Sequence, residues 1–130
     1  MALTRDQIIE KTDVEVREVY VPSWSDSVFI RVMGADENDR YQRYYLNKDG
    51  KVDIHKLQGA RARLCALCIC DEKGNRLFSD DEAKELGRKS NKAIELLVKE
   101  INKLNGLEDD ALEEEAKNSE DSQGDASNSD

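Results

Sequence analysis

Charge is stacked at one end of this chain, and that end sets the limit of what can fold. Residues 107–130 hold ten carboxylates and one lysine, Lys117, out of 29 Asp+Glu and 20 Lys+Arg, which leaves 19 of each sign in residues 1–106. The net charge of −9 therefore belongs to the tail. Beyond residue 117 only Asn, Ser, Glu, Asp, Gln, Gly and one Ala occur. Such a segment buries too little apolar area to offset the entropy of ordering it, so residues 118–130 are expected to be disordered. Residues 107–117 are expected to be partly helical, because Glu108, Asp109 and Asp110 suit the first turn of a helix. The reading is one globular domain over 1–106 followed by an acidic tail over 107–130.

The body's balance of charge has a consequence for partners. A neutral domain with an acidic tail lacks the single-signed basic face that phosphates require, which speaks against nucleic acid and anionic membrane. No apolar run approaches the roughly 18 residues of a membrane span, and the first ten residues lack a signal-peptide core. Cys65, Cys68 and Cys70 are an odd number of thiols and suit a reducing compartment. The expected location is therefore the cytoplasm.

Local signals order the body. Thr4 and Gln7 have capping-box spacing, predicting a short helix over 5–10. Val14 and Val16 alternate with charged residues, then the apolar phase moves to Val19 and Val21, as in a strand with a bulge or bend. Pro22 stops it, and Val28, Ile30 and Val32 form a second strand, giving a hairpin with Trp24 near its end. Asp36 is placed to cap a helix carrying Tyr41, Tyr44 and Tyr45 up to about Leu46. Residues 47–53 read as a loop. From Ile54 to Cys70, Leu57, Ala60, Leu64, Leu67 and Cys68 fit a core-facing helix with Arg61 and Arg63 directed elsewhere. Residues 63–70 also fit a buried strand; length favours the helix. Residues 71–75 form a turn, and Ser79 with Glu82 opens a short helix that Gly87 ends. Ser90 caps the most amphipathic helix, with Ile94, Leu97, Val98, Ile101 and Leu104 on one stripe and Asn105-Gly106 as its stop. The predicted class is α+β and mostly helical, an N-terminal β-hairpin packed on a bundle of about four helices.

Chemistry is sparse. The thiols of Cys65, Cys68 and Cys70 invite a zinc reading, but a structural site needs four ligands and His55 is the sole histidine. Packing of small soft side chains is the stronger reading. Residues 71–82 begin and end like a calcium loop, yet Lys73 and Arg76 stand where an oxygen ligand and a glycine belong. No nucleophile-and-base pair or phosphate-cradling glycine loop has a recognisable spacing, so neither an enzyme nor a cofactor is expected. Trp24, Tyr41, Tyr44 and Tyr45 remain as candidate protein-interface residues, with half of them expected to serve the core instead.

Residues 60–82, ARARLCALCICDEKGNRLFSDDE, followed by Leu86-Gly87-Arg-Lys-Ser90 and Lys103-Leu-Asn-Gly-Leu107, resemble the tail assembly chaperones of long non-contractile-tailed phages and their prophages. Asp13-Val-Glu-Val, Val21-Pro22-Ser-Trp24 and Val28-Phe-Ile-Arg-Val32 are similar to that family's opening hairpin, so the match runs over about residues 10 to 110. It departs where family members carry aliphatic or small residues in place of the cysteines, and where Ser25 stands for a glycine after the tryptophan. The resemblance implies a non-enzymatic chaperone that binds the tape measure protein and helps the tail tube polymerise around it. It further implies a homo-oligomer in the host cell cytoplasm, absent from the mature virion, and contact with the major tail protein through a longer frameshifted form. The alternative reading is a small acidic regulatory or decoy protein whose tail occupies a basic partner.

Overall fold

The computed structural model describes residues 1–107. The expectations of helix to about residue 117 and of disorder after it fall outside the described residues. Helix α1 (Arg5–Glu10) opens the chain, with its N-cap Thr4 and Gln7 exchanging both hydrogen bonds of the capping box. Strands β1 (Val16–Val21) and β2 (Asp26–Arg31) are joined by a 3-10 turn over Pro22–Trp24. Helix α2 (Ala35–Tyr45), the single turn α3 (Ile54–Leu57) and helix α4 (Ala60–Cys68) follow, then strand β3 (Ile69–Cys70). A 3-10 turn over Asp80–Glu82 runs into α5 (Ala83–Leu86), and α6 (Asn91–Leu104) closes the body.

The fold is α+β, with a sheet of one more strand than the hairpin predicted from sequence. Its order is β1-β2-β3, antiparallel throughout. The expected helix over 54–70 is divided twice. Gly59, at φ +92°, breaks it before Ala60, and the last two residues become β3 because Ile69 and Cys70 pair with Ile30 and Phe29. The bulge expected in β1 is not there: pairing runs without interruption from Val16↔Arg31 to Val21↔Asp26. The phase changes because Val14 and Val16 lie beside Gly74 on one face at the start of the strand, whereas the core takes the opposite face at its end. Val19 and Val21 are buried in the core, while a Cβ at Gly74 would lie 3.1 Å from Val14 Cγ1 and 3.5 Å from Val16 Cγ2. The cap of α2 is Gly34 rather than Asp36; its N–H donates to Glu37 Oε1 at 2.9 Å.

Helix α4 is the centre of the molecule. Seven of its nine residues are buried, among them Leu64 and Leu67, and it packs against α2, α5 and α6. Each buried leucine contributes about 1.5–3 kcal/mol of transfer free energy. Cys65, Cys68 and Cys70 are all free and buried. Burial pushes the Cys65 thiol up, and pushes Cys68 up to about 12. A thiol so placed stays protonated, and packs as a small apolar side chain.

A helix this deep must find partners for its last carbonyls, which have no intrahelical donor. Two arginines supply them. Arg31, on β2 and itself buried, donates from Nε and Nη2 to the Leu67 carbonyl at 3.0 and 2.6 Å. Arg76 donates likewise to the Ala66 carbonyl at 3.2 and 3.1 Å. Both also place positive charge at the negative end of the helix dipole. Each is held by a carboxylate: Arg31 by Glu37 at 2.7 Å, and Arg76 by Asp80 at 2.8 Å, with Arg40 joining Asp80 from α2 at 3.0 Å. Burial works to raise the pKa of Glu37 and Asp80, but the arginine hydrogen bonds and charges hold both below the ordinary carboxylate value.

The C-terminal end is tied back as well. Asn105 accepts the Met33 N–H at 2.8 Å and donates from Nδ2 to the Ile101 carbonyl at 2.9 Å and the Arg31 carbonyl at 3.4 Å. The residue that stops α6 thus fastens it to the end of β2.

Candidate interaction surface

The four aromatic candidates divide by burial. Tyr41 is 3% exposed and lies in the core, with its ring 5.0 Å from that of Tyr45 at an angle of 57°. Its hydroxyl has no hydrogen-bond partner among the described residues, and burial pushes its pKa upward. Tyr44, Tyr45 and Trp24 are half-buried and pack against the core from outside. Arg63, expected to point away, lies over the Tyr44 ring with its guanidinium carbon 3.9 Å from the centroid, a cation–π contact. Three of the candidates therefore offer an edge at the surface, held in place by what lies beneath.

Larger exposed apolar area lies elsewhere. Helix α1 has no buried residue, and Ile8 and Ile9 are 59% and 63% exposed, with Leu3 beside them in sequence. A six-residue helix is far below the roughly 12–15 residues at which an isolated helix becomes marginal in water, so packing against something is what would stabilise it. Downstream, β1 has a strand neighbour on one side only among the described residues, which leaves an edge of outward N–H and C=O groups there. Tyr20 on that strand is 58% exposed. The capping-box spacing of Thr4 and Gln7 predicts this short helix, but one turn with adjacent isoleucines carries no periodicity from which its exposure could be read.

The body's neutrality is an average over an uneven surface. A hollow of about 380 Å³ lies where the start of α4, the end of α5 and the start of α6 converge. Arg61, Lys84, Arg88 and Lys89 line it, with Gly59 and Asn91. No carboxylate lines it among the described residues. Arg61, expected to point away from the core, is half-buried at its wall.

Among the described residues no group of three His, Cys, Asp or Glu is gathered to hold a metal ion. No helix there is long and apolar enough to cross a membrane.

No protein-family model matches the chain, and no curated protein sequence does. Among solved structures it is similar to the tail assembly chaperone of bacteriophage HK97, with a TM-score of 0.55 and 22% sequence identity, over 70% of this chain and 85% of that one. Identity at this level speaks for the fold. The fold is thus one that a phage tail assembly chaperone also adopts, the fold that the family resemblance of the sequence implies.

Proposed function

We propose that this chain is a non-enzymatic phage tail assembly chaperone that binds the tape measure protein and assists polymerisation of the tail tube around it. The observation that carries the reading is the fold shared with the HK97 protein, reached independently of the motif order in the sequence. The surface supports it: Leu3 ahead of α1, Ile8 and Ile9 on it, Tyr20 on β1, and the outer rims of Trp24, Tyr44 and Tyr45 offer apolar contacts that the core of the described residues does not use. Helical partners are bound through such anchors at helical spacing, and extended ones by adding a strand to an open edge. Under this reading the protein self-associates in the host cytoplasm, contacts the major tail protein through a longer frameshifted form, and is absent from the finished virion.

Co-expression with a tape measure segment tests it. The segment is expected to become soluble and to co-purify with the chaperone. An Ile8→Ser/Ile9→Ser variant should keep its melting temperature yet lose most of the co-purifying segment, because neither side chain is buried among the described residues. A segment that stays insoluble with the unaltered chain would sink the reading.

A further inference from the structure

The basic hollow has no role in the chaperone reading, and its construction is that of an anion site. Arg61 from α4, Lys84 from α5, and Arg88 and Lys89 from the link to α6 bring four positive charges to one concavity of about 380 Å³. Like charges gathered in this way repel one another, less where Lys84, Arg88 and Lys89 meet solvent, and a counter-charge relieves that repulsion. The described residues supply little. Arg88 reaches Glu85 at 3.6 Å with both side chains largely exposed, while Arg61, Lys84 and Lys89 form no ion pair among the described residues. The wall adds a second source of positive potential. Helix α4 begins at Gly59 without a side-chain cap, so its first N–H groups remain unclaimed by any side chain at the rim. The floor is formed in part by Gly87, where a Cβ would stand 3.6 Å from Ala62 Cβ, so backbone closes the hollow from below.

We infer that this hollow is a carboxylate-binding site whose occupant is the chain's own acidic C-terminal segment. Charge complementarity is the first argument: outside the neutral body the chain carries ten carboxylates and one lysine, and four cations with no carboxylate among the described residues line this hollow. Reach is the second. The hollow lies at the start of α6 and the tail departs from its end, 14 residues away, about 21 Å at 1.5 Å per residue. Glu108, Asp109 and Asp110 follow Gly106 too closely, since four residues span at most about 14 Å. Glu113 stands seven residues beyond Gly106, a contour of at most about 25 Å, and Glu120 stands 14 beyond it. The carboxylates from Glu113 onward are thus within reach, with Glu120, Asp121 and Asp125 having length to spare. Docked there, they cover the cationic surface and hold the tail along α6. The inference does not depend on the chaperone reading.

A spin label places the tail. In the full-length chain with Ser122→Cys, a nitroxide reagent modifies the new thiol alone, because the three native thiols are buried. Paramagnetic broadening is expected at the amides of residues 59–62 and 87–91. It should fall about two-fold or more when salt is raised to about 1 M, where the Debye length shrinks to about 3 Å. It should fall likewise in the same chain carrying Arg61→Gln, Lys84→Gln and Lys89→Gln, whose amide spectrum elsewhere reports that the fold is kept. Broadening unchanged by salt and by these substitutions overturns the inference. So does broadening that appears only when spin-labelled chains are mixed with isotope-labelled ones, which places a second copy's tail in the hollow. A single-stranded oligonucleotide that shifts the same amides while the tail label leaves them untouched overturns it in favour of a nucleic-acid site.

Discussion

Replacing Arg31 by methionine should be among the most damaging single changes that leave the volume of the core nearly unaltered. The guanidinium makes three contacts: two to the Leu67 carbonyl, at 3.0 and 2.6 Å, and one to Glu37 at 2.7 Å. Methionine fills a similar space and makes none of them. The Leu67 carbonyl is then a buried acceptor without a donor, which costs about 1–3 kcal/mol. The Glu37 carboxylate loses its counter-charge, and breaking a buried pair from one side costs about 3–5 kcal/mol. The Glu37 side chain is 18% exposed, so water takes up part of that loss, and the two costs overlap because one side chain serves both groups. An overall destabilisation of about 3–4 kcal/mol follows. Urea unfolding followed by Trp24 fluorescence reads it as a lower midpoint at unchanged slope. Acid supplies an independent reading. Glu37 is held below its ordinary value of 4.5, so its contribution is present above the unfolded-state pKa and is lost as pH falls through the folded one. The unaltered chain should lose stability below about pH 5, and Arg31→Met should flatten that decline. Adding Glu37→Met to Arg31→Met should restore part of the loss, since the stranded charge is gone. A cost below about 1 kcal/mol for Arg31→Met, with an unchanged acid limb, would falsify the assignment of Arg31 as the cap of α4.

Tyr41→Phe removes a buried hydroxyl that has no partner among the described residues, and is expected to leave stability unchanged or raise it by about 1 kcal/mol in thermal unfolding; a loss of that size would mean the hydroxyl is bonded. Gly59→Ala forces a left-handed backbone, φ +92°, on a residue with a Cβ and sets that atom 3.3 Å from the Tyr44 hydroxyl, so a cost of about 1–2 kcal/mol is expected from the same measurement. Cys65, Cys68 and Cys70 should resist a thiol-specific reagent in the native protein at mildly alkaline pH and react fully once denatured; rapid native labelling of any of them would contradict their place in the core.

What was legible in the sequence was what is decided locally. The capping boxes at Thr4 and Ser79, the cap at Ser90 and the stop at Asn105-Gly106 all sit where the spacing of a few residues places them. Strand β3 was not legible, because two residues carry no alternation and their state depends on Phe29 and Ile30, far away along the chain. The end of α4 hides in an unbroken apolar run for the same reason: it is fixed by Arg31 and Arg76 reaching its carbonyls from other elements. An arginine in an alternating strand reads as a solvent-facing residue, and Arg31 is buried. The aromatic candidates were sound as a group of core-and-rim residues, but spacing could not tell that Tyr41 turns inward while Tyr44 and Tyr45 stay partly open. Summing charge over the whole body hid the basic hollow, whose four cations come from separate stretches of sequence.

The side-chain clasp of Asn105 gives the molecule a mechanical property. Whatever is joined to the body beyond Gly106 hangs from a point stitched to the end of β2 through Met33 and Arg31. A load drawn along that tether reaches the end of β2 through these hydrogen bonds as well as α6 through its last turn. A cargo appended there is carried by the whole domain, and Asn105→Ala should lower the force at which the first step of unfolding is seen under tension.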